Sequence, residues 1–295
     1  MIQSRRARLA AFLAPYLLGT LILIVLPACL TFIIAFTSYD GVSSPIFGWK
    51  KLQFLQNFQF LIKEPLFKIA LTNSLIFAAW AVPLRILGAL ALAMFYNRQR
   101  RGTDLHRAAV YLPTIIPDTA YALVWTWILN PLYGPLNASL RTLGLPAPLW
   151  LADSAWALPA IILVSLLQIG EGFVVLLAGL RHVPQALYDS ARVDGANRWE
   201  IFSSITLHLL IPWLAILTVR DVVLSFQSTF TPAYIMTRGG PYYATFFTPL
   251  LIYETAFDRL LFGPAAAISL VVFILTIFLV VIVFKSFDKW LGDEE

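Results

Sequence analysis

Residues Ala186–Glu200 read ALYDSARVDGANRWE, and apolar runs flank the stretch on both sides. Three acids and two arginines stand here in an otherwise greasy chain. Pro184, just upstream, suits the first turn of a helix, where its missing N–H is not needed. Gln185 to Val193 then favours helix, and Gly195 interrupts it. Asn197 is an N-cap for a second helix, with Glu200 three residues later at the capping-box position. That second helix runs through Ile201, Phe202, Ile205 and Leu209 into the next apolar run. The stretch is therefore a short polar helix, a glycine turn and a helix that re-enters apolar surroundings. Ser190, Ala191 and Ala196 are small and let another backbone come close. On the residues alone, an ordinary re-entry loop explains the stretch as well as a docking element does.

The surroundings follow from composition. The chain has 295 residues, 59% hydrophobic and 13% charged. Soluble domains carry about 25% charged residues, so this chain lacks the charge to cover a water-exposed surface, and most of its surface faces lipid. The single cysteine, Cys29, excludes a disulfide framework within the chain and a multi-cysteine zinc site. His106, His182 and His208 are too widely spaced to give a metal-ligand pattern. No metal, cofactor or nucleic-acid site is expected.

Six stretches are apolar enough to cross a bilayer core, which takes about 20 helical residues: residues 10–37, 71–96, 108–129, 155–180, 207–230 and 264–284. The expected fold is all-α: a single polytopic membrane domain over residues 1–295, with a loop at about 181–206. The first stretch follows Arg5, Arg6 and Arg8, but it is too long for a signal-peptide core and no small-residue cleavage pattern follows it. It reads as a retained span. Leu52–Phe67 reads as an interfacial helix. Lys and Arg set the orientation. Arg5, Arg6, Arg8, Arg98, Arg100, Arg101, Arg107, Arg181, Arg192, Arg198, Lys285 and Lys289 cluster on one side. Lys50, Lys51, Lys63, Lys68, Arg141, Arg238 and Arg259 lie on the other. Both termini and the Ala186–Glu200 stretch are thus expected to be cytoplasmic, in a multi-pass protein of the cell (inner or plasma) membrane.

Ionisable groups inside spans are costly and are functional candidates by default. Here they are Arg85, Asp118, Glu171, Arg220 and Asp221. Asp118 follows Pro117 and marks a helix break. Arg220 and Asp221 point about 100° apart on a helix and are not expected to face each other, whereas Arg220 can reach Glu171 on the preceding span. As a set they read better as structural ion pairs than as a proton relay. Gln168, in the middle of the fourth span, and Ser225, Gln227, Ser228 and Thr229 add uncharged polar groups. Such groups either hydrogen-bond a polar solute or join helices, the commoner use. There is no G-x-x-x-x-G-K-[ST] phosphate loop, no H-E-x-x-H and no convincing nucleophile–base pair. Repeats with matching broken helices, as in many secondary carriers, are not evident. A proton-coupled carrier or an intramembrane enzyme is the alternative class.

The opening stretch resembles the EAA loop of the permease subunits of binding-protein-dependent ABC importers. The family pattern runs E-A-A, three residues, G, about nine residues, then I-x-L-P. Here it is matched by Asp189-Ser190-Ala191, Gly195 and Ile205-Thr206-Leu207-His208. The longer form is matched by Val183-Pro184, Leu187-Tyr188 and Val193-Asp194-Gly195-Ala196. Asp189 replaces the family Glu, Ser190 the first Ala, and His208 the Pro, which bears on the angle of entry into the fifth span. WTWILNPLYGPLNASL resembles the loop after span three in these permeases, with Trp127, Gly134 and Asn137 in place. MTRGGPYYATFFTPLLIYETAF resembles the G-G-P signature of the carbohydrate branch (maltose- and glycerol-phosphate-type permeases), through Thr237, Gly239, Gly240, Pro241, Thr245, Tyr253, Ala256 and Phe257.

The resemblance implies a non-catalytic subunit forming half of a translocation path for a sugar or related polar solute. A second, different permease subunit would complete the path. Separate ABC ATPase subunits would drive it, and an extracytoplasmic solute-binding protein would deliver the solute. Tyr188, Asp189, Ser190, Ala191, Asp194 and Gly195 would contact the ATPase. Gln168, Ser225, Gln227 and Thr229 fall where the resemblance places the solute path.

Overall fold

The computed structural model of the chain describes residues 2–39, 41, 55–97 and 102–291. Lys50, Lys51, Arg98, Arg100 and Arg101, used above for orientation, lie outside the described residues, as do residues 52–54 of the expected interfacial helix. The described residues are all-α.

Four helical runs are long and apolar enough to span a membrane: Ala11–Ile34, Pro65–Tyr96, Arg198–Thr237 and Phe262–Asp288. A fifth is the pair Ser154–Leu166 and Gly170–His182, bent by 45° at a short break. These correspond to the first, second, fifth, sixth and fourth expected spans. The stretch at 108–129 is instead two short helices, Thr103–Ile115 and Asp118–Ile128. The break falls at Ile116–Pro117, because a proline disfavours helical conformation in the residue before it. Gln56–Lys63 is the described part of the expected interfacial helix.

The chain divides into two compact units. The first comprises Met1–Lys68 and Leu251–Phe273. Its Ala11–Ile34 span buries none of its apolar window, and Phe12 and Leu23 are 82% and 75% exposed. In water such a face would be a large unpartnered apolar patch. A buried Asn57 ties this unit together, its amide donating to the Ala35 carbonyl at 2.8 Å and the Thr37 carbonyl at 2.9 Å. Both carbonyls lie where the first span ends, and the asparagine answers acceptors that a helix end leaves open.

The second unit comprises Ile69–Leu250 and Ile274–Glu295. One core cluster joins Ala89, Leu90 and Ala93 to Phe173, Leu176, Leu177 and Leu180, and to Leu210, Leu214 and Leu217. Three helices meet there, and a fourth, Thr103–Ile115, packs beside them. A Cβ on Gly170 would sit 2.4 Å from the Thr114 hydroxyl and 2.8 Å from the Tyr111 Cα of that fourth helix. A Cβ on Gly179 would lie 2.9 Å from Leu210. A second cluster joins Tyr121, Ala122 and Leu129 to Ala160, Val164 and Met236. Here the Tyr121 hydroxyl donates to the Val164 carbonyl at 2.9 Å, satisfying a polar atom that would otherwise be costly to bury.

Candidate functional site

Two regions of the second unit carry the residues singled out from the sequence. The first is the loop after His182. Gln185–Val193 is a helix with Pro184 at its N-cap. It ends in a paired C-terminal turn: the Gly195 N–H donates to the Arg192 carbonyl (3.2 Å) and the Ala196 N–H to the Ala191 carbonyl (2.9 Å). Gly195 has φ +82°, the left-handed conformation this terminus requires and glycine adopts without penalty. The expected capping box is present. The Asn197 carboxamide oxygen accepts from the Trp199 and Glu200 N–H groups at 2.9 and 3.0 Å, and the Glu200 carboxylate accepts from the Asn197 N–H at 2.7 Å. From Arg198 the helical run continues unbroken into the fifth span, through one π-helical stretch at Ile201–Thr206. His208, at the position of the family proline, lies inside this run and does not interrupt it.

Asp189 and Ser190 are exposed, as are Asp194 and Gly195. Asp189 pairs with Arg192 at 2.8 Å and accepts from the Gln185 amide at 3.1 Å. Ser190 donates to the Leu187 carbonyl at 3.2 Å. Ala191 is half-buried. Tyr188 turns inward, its hydroxyl 3.1 Å from that of Thr206, and ties the short helix to the base of the fifth span. Val193 and Trp199 are 87% and 71% exposed.

The second region is a cavity of about 420 Å³, within the roughly 300–1,000 Å³ of small-molecule sites. All five ionisable groups found in the spans line it: Arg85, Asp118, Glu171, Arg220 and Asp221. They come from four parts of the chain. Arg85 stands on the Pro65–Tyr96 helix, two residues after Pro83. Asp118 and Glu171 each begin a helix that restarts after a break, where an acid meets the positive end of the helix dipole. Arg220 and Asp221 stand on Leu207–Ser225.

Arg220 is ion-paired with Glu171, as the sequence suggests. It also hydrogen-bonds Asp221 at 3.2 Å. Arg220 and Asp221 leave the helix in different directions, but the long arginine side chain folds back to its neighbour, so the expectation from helical geometry alone is corrected. Arg85 lies over the Phe77 ring, 5.5 Å from its centroid. Its Nε is buried without a hydrogen-bond partner, and so is the Thr114 Oγ1 that lines the same cavity.

Gln168, in the break of the fourth span, lines this cavity and a smaller adjoining one of about 50 Å³. Thr229 lines only the smaller. Ser225 and Gln227 line neither: Ser225 is fully buried with its hydroxyl donating to the Asp221 carbonyl at 2.7 Å, and Gln227 is exposed. Their neighbour Ser228 lines both cavities instead. Thr114 and Ser165 join the lining as well. A threonine and a serine inside apolar runs carry no mark that separates them from helix-joining hydroxyls.

The hydroxyls of Ser165 and Ser228 donate to the carbonyls of Ile162 (2.6 Å) and Leu224 (2.8 Å), so toward the cavity they present lone pairs. The cavity therefore offers acceptors from Asp118, Glu171, Asp221, Ser165 and Ser228, and donors from Arg85, Arg220, Thr114 and the Gln168 amide. It can hold a hydroxyl-rich molecule without forming any covalent bond to it.

Comparison with known proteins places this architecture. The chain is 33% identical over 289 residues to the probable ABC transporter permease protein YesP of Bacillus subtilis strain 168, covering 96% of this chain and 91% of that one. It is 29% identical over 286 residues to the trehalose/maltose transport system permease protein MalF of Thermococcus litoralis, covering 96% and 95%. A chain of the bacterial alginate ABC transporter, solved in complex with alginate pentasaccharide-bound periplasmic protein, shares the fold with a TM-score of 0.79 at 24% identity, over 95% of this chain and 93% of that one. Both sequence relatives are named as permeases, not as secondary carriers or enzymes. Residues 85–292, which include the cavity and the loop after His182, match the family described as binding-protein-dependent transport system inner membrane component, and the chain belongs to that family, as a multi-pass membrane permease subunit of an ABC importer.

Proposed function

We propose that this permease forms half of a translocation path for a sugar or related polar solute, and that the path passes through the cavity bounded by Arg85, Asp118, Gln168, Glu171 and Arg220. The observation that carries the reading is that Arg85, Asp118, Glu171, Arg220 and Asp221, the Arg and acidic side chains of the expected spans, line one cavity with several uncharged polar groups. Scattered structural ion pairs would not need a common space. The trehalose/maltose permease among the relatives supports a carbohydrate. Gln168 and Thr229 are proposed as solute contacts, with Ser228 in place of Ser225 and Gln227.

Residues 1–295 are read as one permease domain of six spans, the third being the broken pair Thr103–Ile115 and Asp118–Ile128. The loop at about 181–206 is read as the coupling element for a separate ATPase subunit. Asp189, Ser190, Asp194 and Gly195 offer the exposed contact surface, Ala191 the close approach, and Tyr188 the anchor to the fifth span. The tight turn at Gly195 and the exposed Val193 and Trp199 support this assignment. Both termini and the loop are read as cytoplasmic, from the clustering of Lys and Arg. A second permease subunit and an extracytoplasmic solute-binding protein complete the machine.

The test is reconstitution. Uptake of a radiolabelled sugar into proteoliposomes should need the ATPase, the second permease and the binding protein together. Uptake by the chain alone would overturn the reading. Gly195→Val, which the left-handed backbone tolerates least, should abolish uptake while membrane insertion persists, and cysteines placed at Asp189 should react only with reagents applied from the cytoplasmic side.

A further inference from the structure

The loop between the third and fourth expected spans is too apolar for a stretch bathed in water. Residues 131–151 carry one charged side chain, Arg141, and seven leucines. Part of the loop is spoken for: Leu136, Trp150 and Leu151 pack on the cluster of Tyr121, Ala122, Leu129 and Met236, which holds the loop against the ends of the spans. The rest is not. Leu132, Tyr133, Leu143, Leu145 and Leu149 are each at least half exposed, before and after the short helix Pro135–Thr142. Trp127 and Trp156 are exposed near the points where the flanking helices meet the loop.

The polar groups turn the other way, onto the loop's own backbone. Arg141 donates to the carbonyls of Pro131 at 2.6 Å and Leu132 at 3.5 Å. The Asn130 carboxamide oxygen accepts from the Leu132 and Tyr133 N–H groups at 3.0 and 3.3 Å. Asn137 bridges the Pro131 and Pro148 carbonyls and the Trp150 indole. The Ser139 and Thr142 hydroxyls donate to the carbonyls of Pro135 and Ser139. Polar groups in water need no such partners, whereas a segment that leaves water must supply them itself.

We infer that residues 131–151 form an interfacial anchor, with the side chains of Leu132, Tyr133, Leu143, Leu145 and Leu149 seated at the boundary between phospholipid headgroups and acyl chains. Trp127, Tyr133 and Trp156 supply the aromatic girdle usual at that depth, and they make the face continuous with the lipid-facing surface of the spans. A soluble partner that docks and leaves meets a surface about as polar as the rest of a protein; this one carries a single charge, already satisfied. The anchor fastens one end of the Asp118–Ile128 helix to the bilayer surface, and the other end of that helix carries Asp118 into the cavity.

Nitroxide labels on the assembled transporter in phospholipid vesicles test it. Leu132→Cys, Leu143→Cys and Leu145→Cys are made one at a time in a Cys29→Ser background, with cysteine-free partner subunits. Asp104→Cys, at an exposed and charged position, is the water control. Collision rates with oxygen and with a water-soluble nickel chelate give the depth of each label. The three loop labels should meet oxygen in preference to nickel and lie about 5–10 Å into the headgroup and acyl boundary, with the reverse preference at residue 104. Free access to nickel at the loop positions puts the loop in water and overturns the inference. Shielding from both reagents, in the transporter alone or only after the solute-binding protein is added, shows a protein cover and also overturns it. Thermal unfolding equal to that of the unlabelled chain certifies each variant as assembled, and three separate positions keep the reading independent of any one that is not.

Discussion

Arg220, on the fifth span, is ion-paired with Glu171, the second residue of the helix that restarts the fourth span, and it hydrogen-bonds Asp221 in the same reach. The two acids differ in exposure: Glu171 is 47% exposed at its side chain, Asp221 10%. Removing Arg220 therefore takes the contact partner from one buried carboxylate and leaves it only the more distant charge of Arg85, whereas removing the Glu171 charge leaves Arg220 still held by Asp221. Arg220→Ala should destabilise the purified transporter by about 3 kcal/mol. Glu171→Gln should cost about 1 kcal/mol or less, as expected for a half-exposed pair. Thermal unfolding followed by tryptophan fluorescence separates the two. Equal shifts would mean that Asp221 is not dependent on Arg220.

Gly195 offers a cleaner test of backbone conformation. No atom lies within 4 Å of where its Cβ would be, so a substitution there meets the left-handed backbone and nothing else. Gly195→Ala should cost about 1 kcal/mol locally, and Gly195→Asn less, because asparagine tolerates this conformation. ATP-driven uptake should fall in the order Gly, Asn, Ala. A loss that instead follows side-chain size would point to a contact surface as the reason for glycine.

Asn137 holds the loop after the third span. Its amide donates to the Pro148 carbonyl at 2.9 Å and the Pro131 carbonyl at 3.3 Å, and its oxygen accepts from the Trp150 indole at 2.7 Å. The residue is 1% exposed. Asn137→Ala strands these partners and should cost about 2–3 kcal/mol. Faster amide hydrogen exchange across 131–151, with the spans unchanged, is the expected signature. Protection equal to wild type would show that water replaces the side chain without loss.

Gly170 tests the close approach at the break of the fourth span. Gly170→Ala drives a methyl into both the Thr114 side chain and the Tyr111 backbone, and should destabilise by about 1–3 kcal/mol. Adding Thr114→Ala should relieve only the side-chain part. Complete rescue by the double variant, measured by the same unfolding assay, would mean that the backbone contact is not limiting.

Much of this architecture was legible in local sequence. The capping box at Asn197 and Glu200 depends on residues three apart and forms as written. Pro117 announced the break before Asp118. The break between Leu166 and Gly170 has no proline, and apolar composition cannot tell a continuous helix from a bent pair. Arg85, Asp118, Glu171 and Arg220 stood out singly, but only the packing of four separate segments gives them one cavity. The exchange of Gln227 for Ser228 has a smaller cause. Residues 226–229 form a turn within the helical run, and the direction of a side chain in a turn does not follow from helical periodicity.

The Gly170–His182 helix carries Glu171 in its first turn beside the cavity and ends two residues before the loop helix Gln185–Val193. Its thirteen residues make a rod about 20 Å long. Gly170, Gly172 and Gly179 leave it close against its neighbours without interlocking side chains at those points. Leu167, Gln168 and Ile169 form a natural fulcrum at its inner end. A tilt of about 10° at that fulcrum carries the far end sideways by about 3–4 Å, on the 1.5 Å rise per residue of a rigid helix. Run in reverse, a few ångströms of travel at the membrane surface become a small rotation at Glu171, enough to stretch its pair with Arg220. If the loop is pulled by an ATPase as proposed, the ion pair would act as the latch of a lever, and its strength would set how hard the loop end must be pulled before the cavity changes shape.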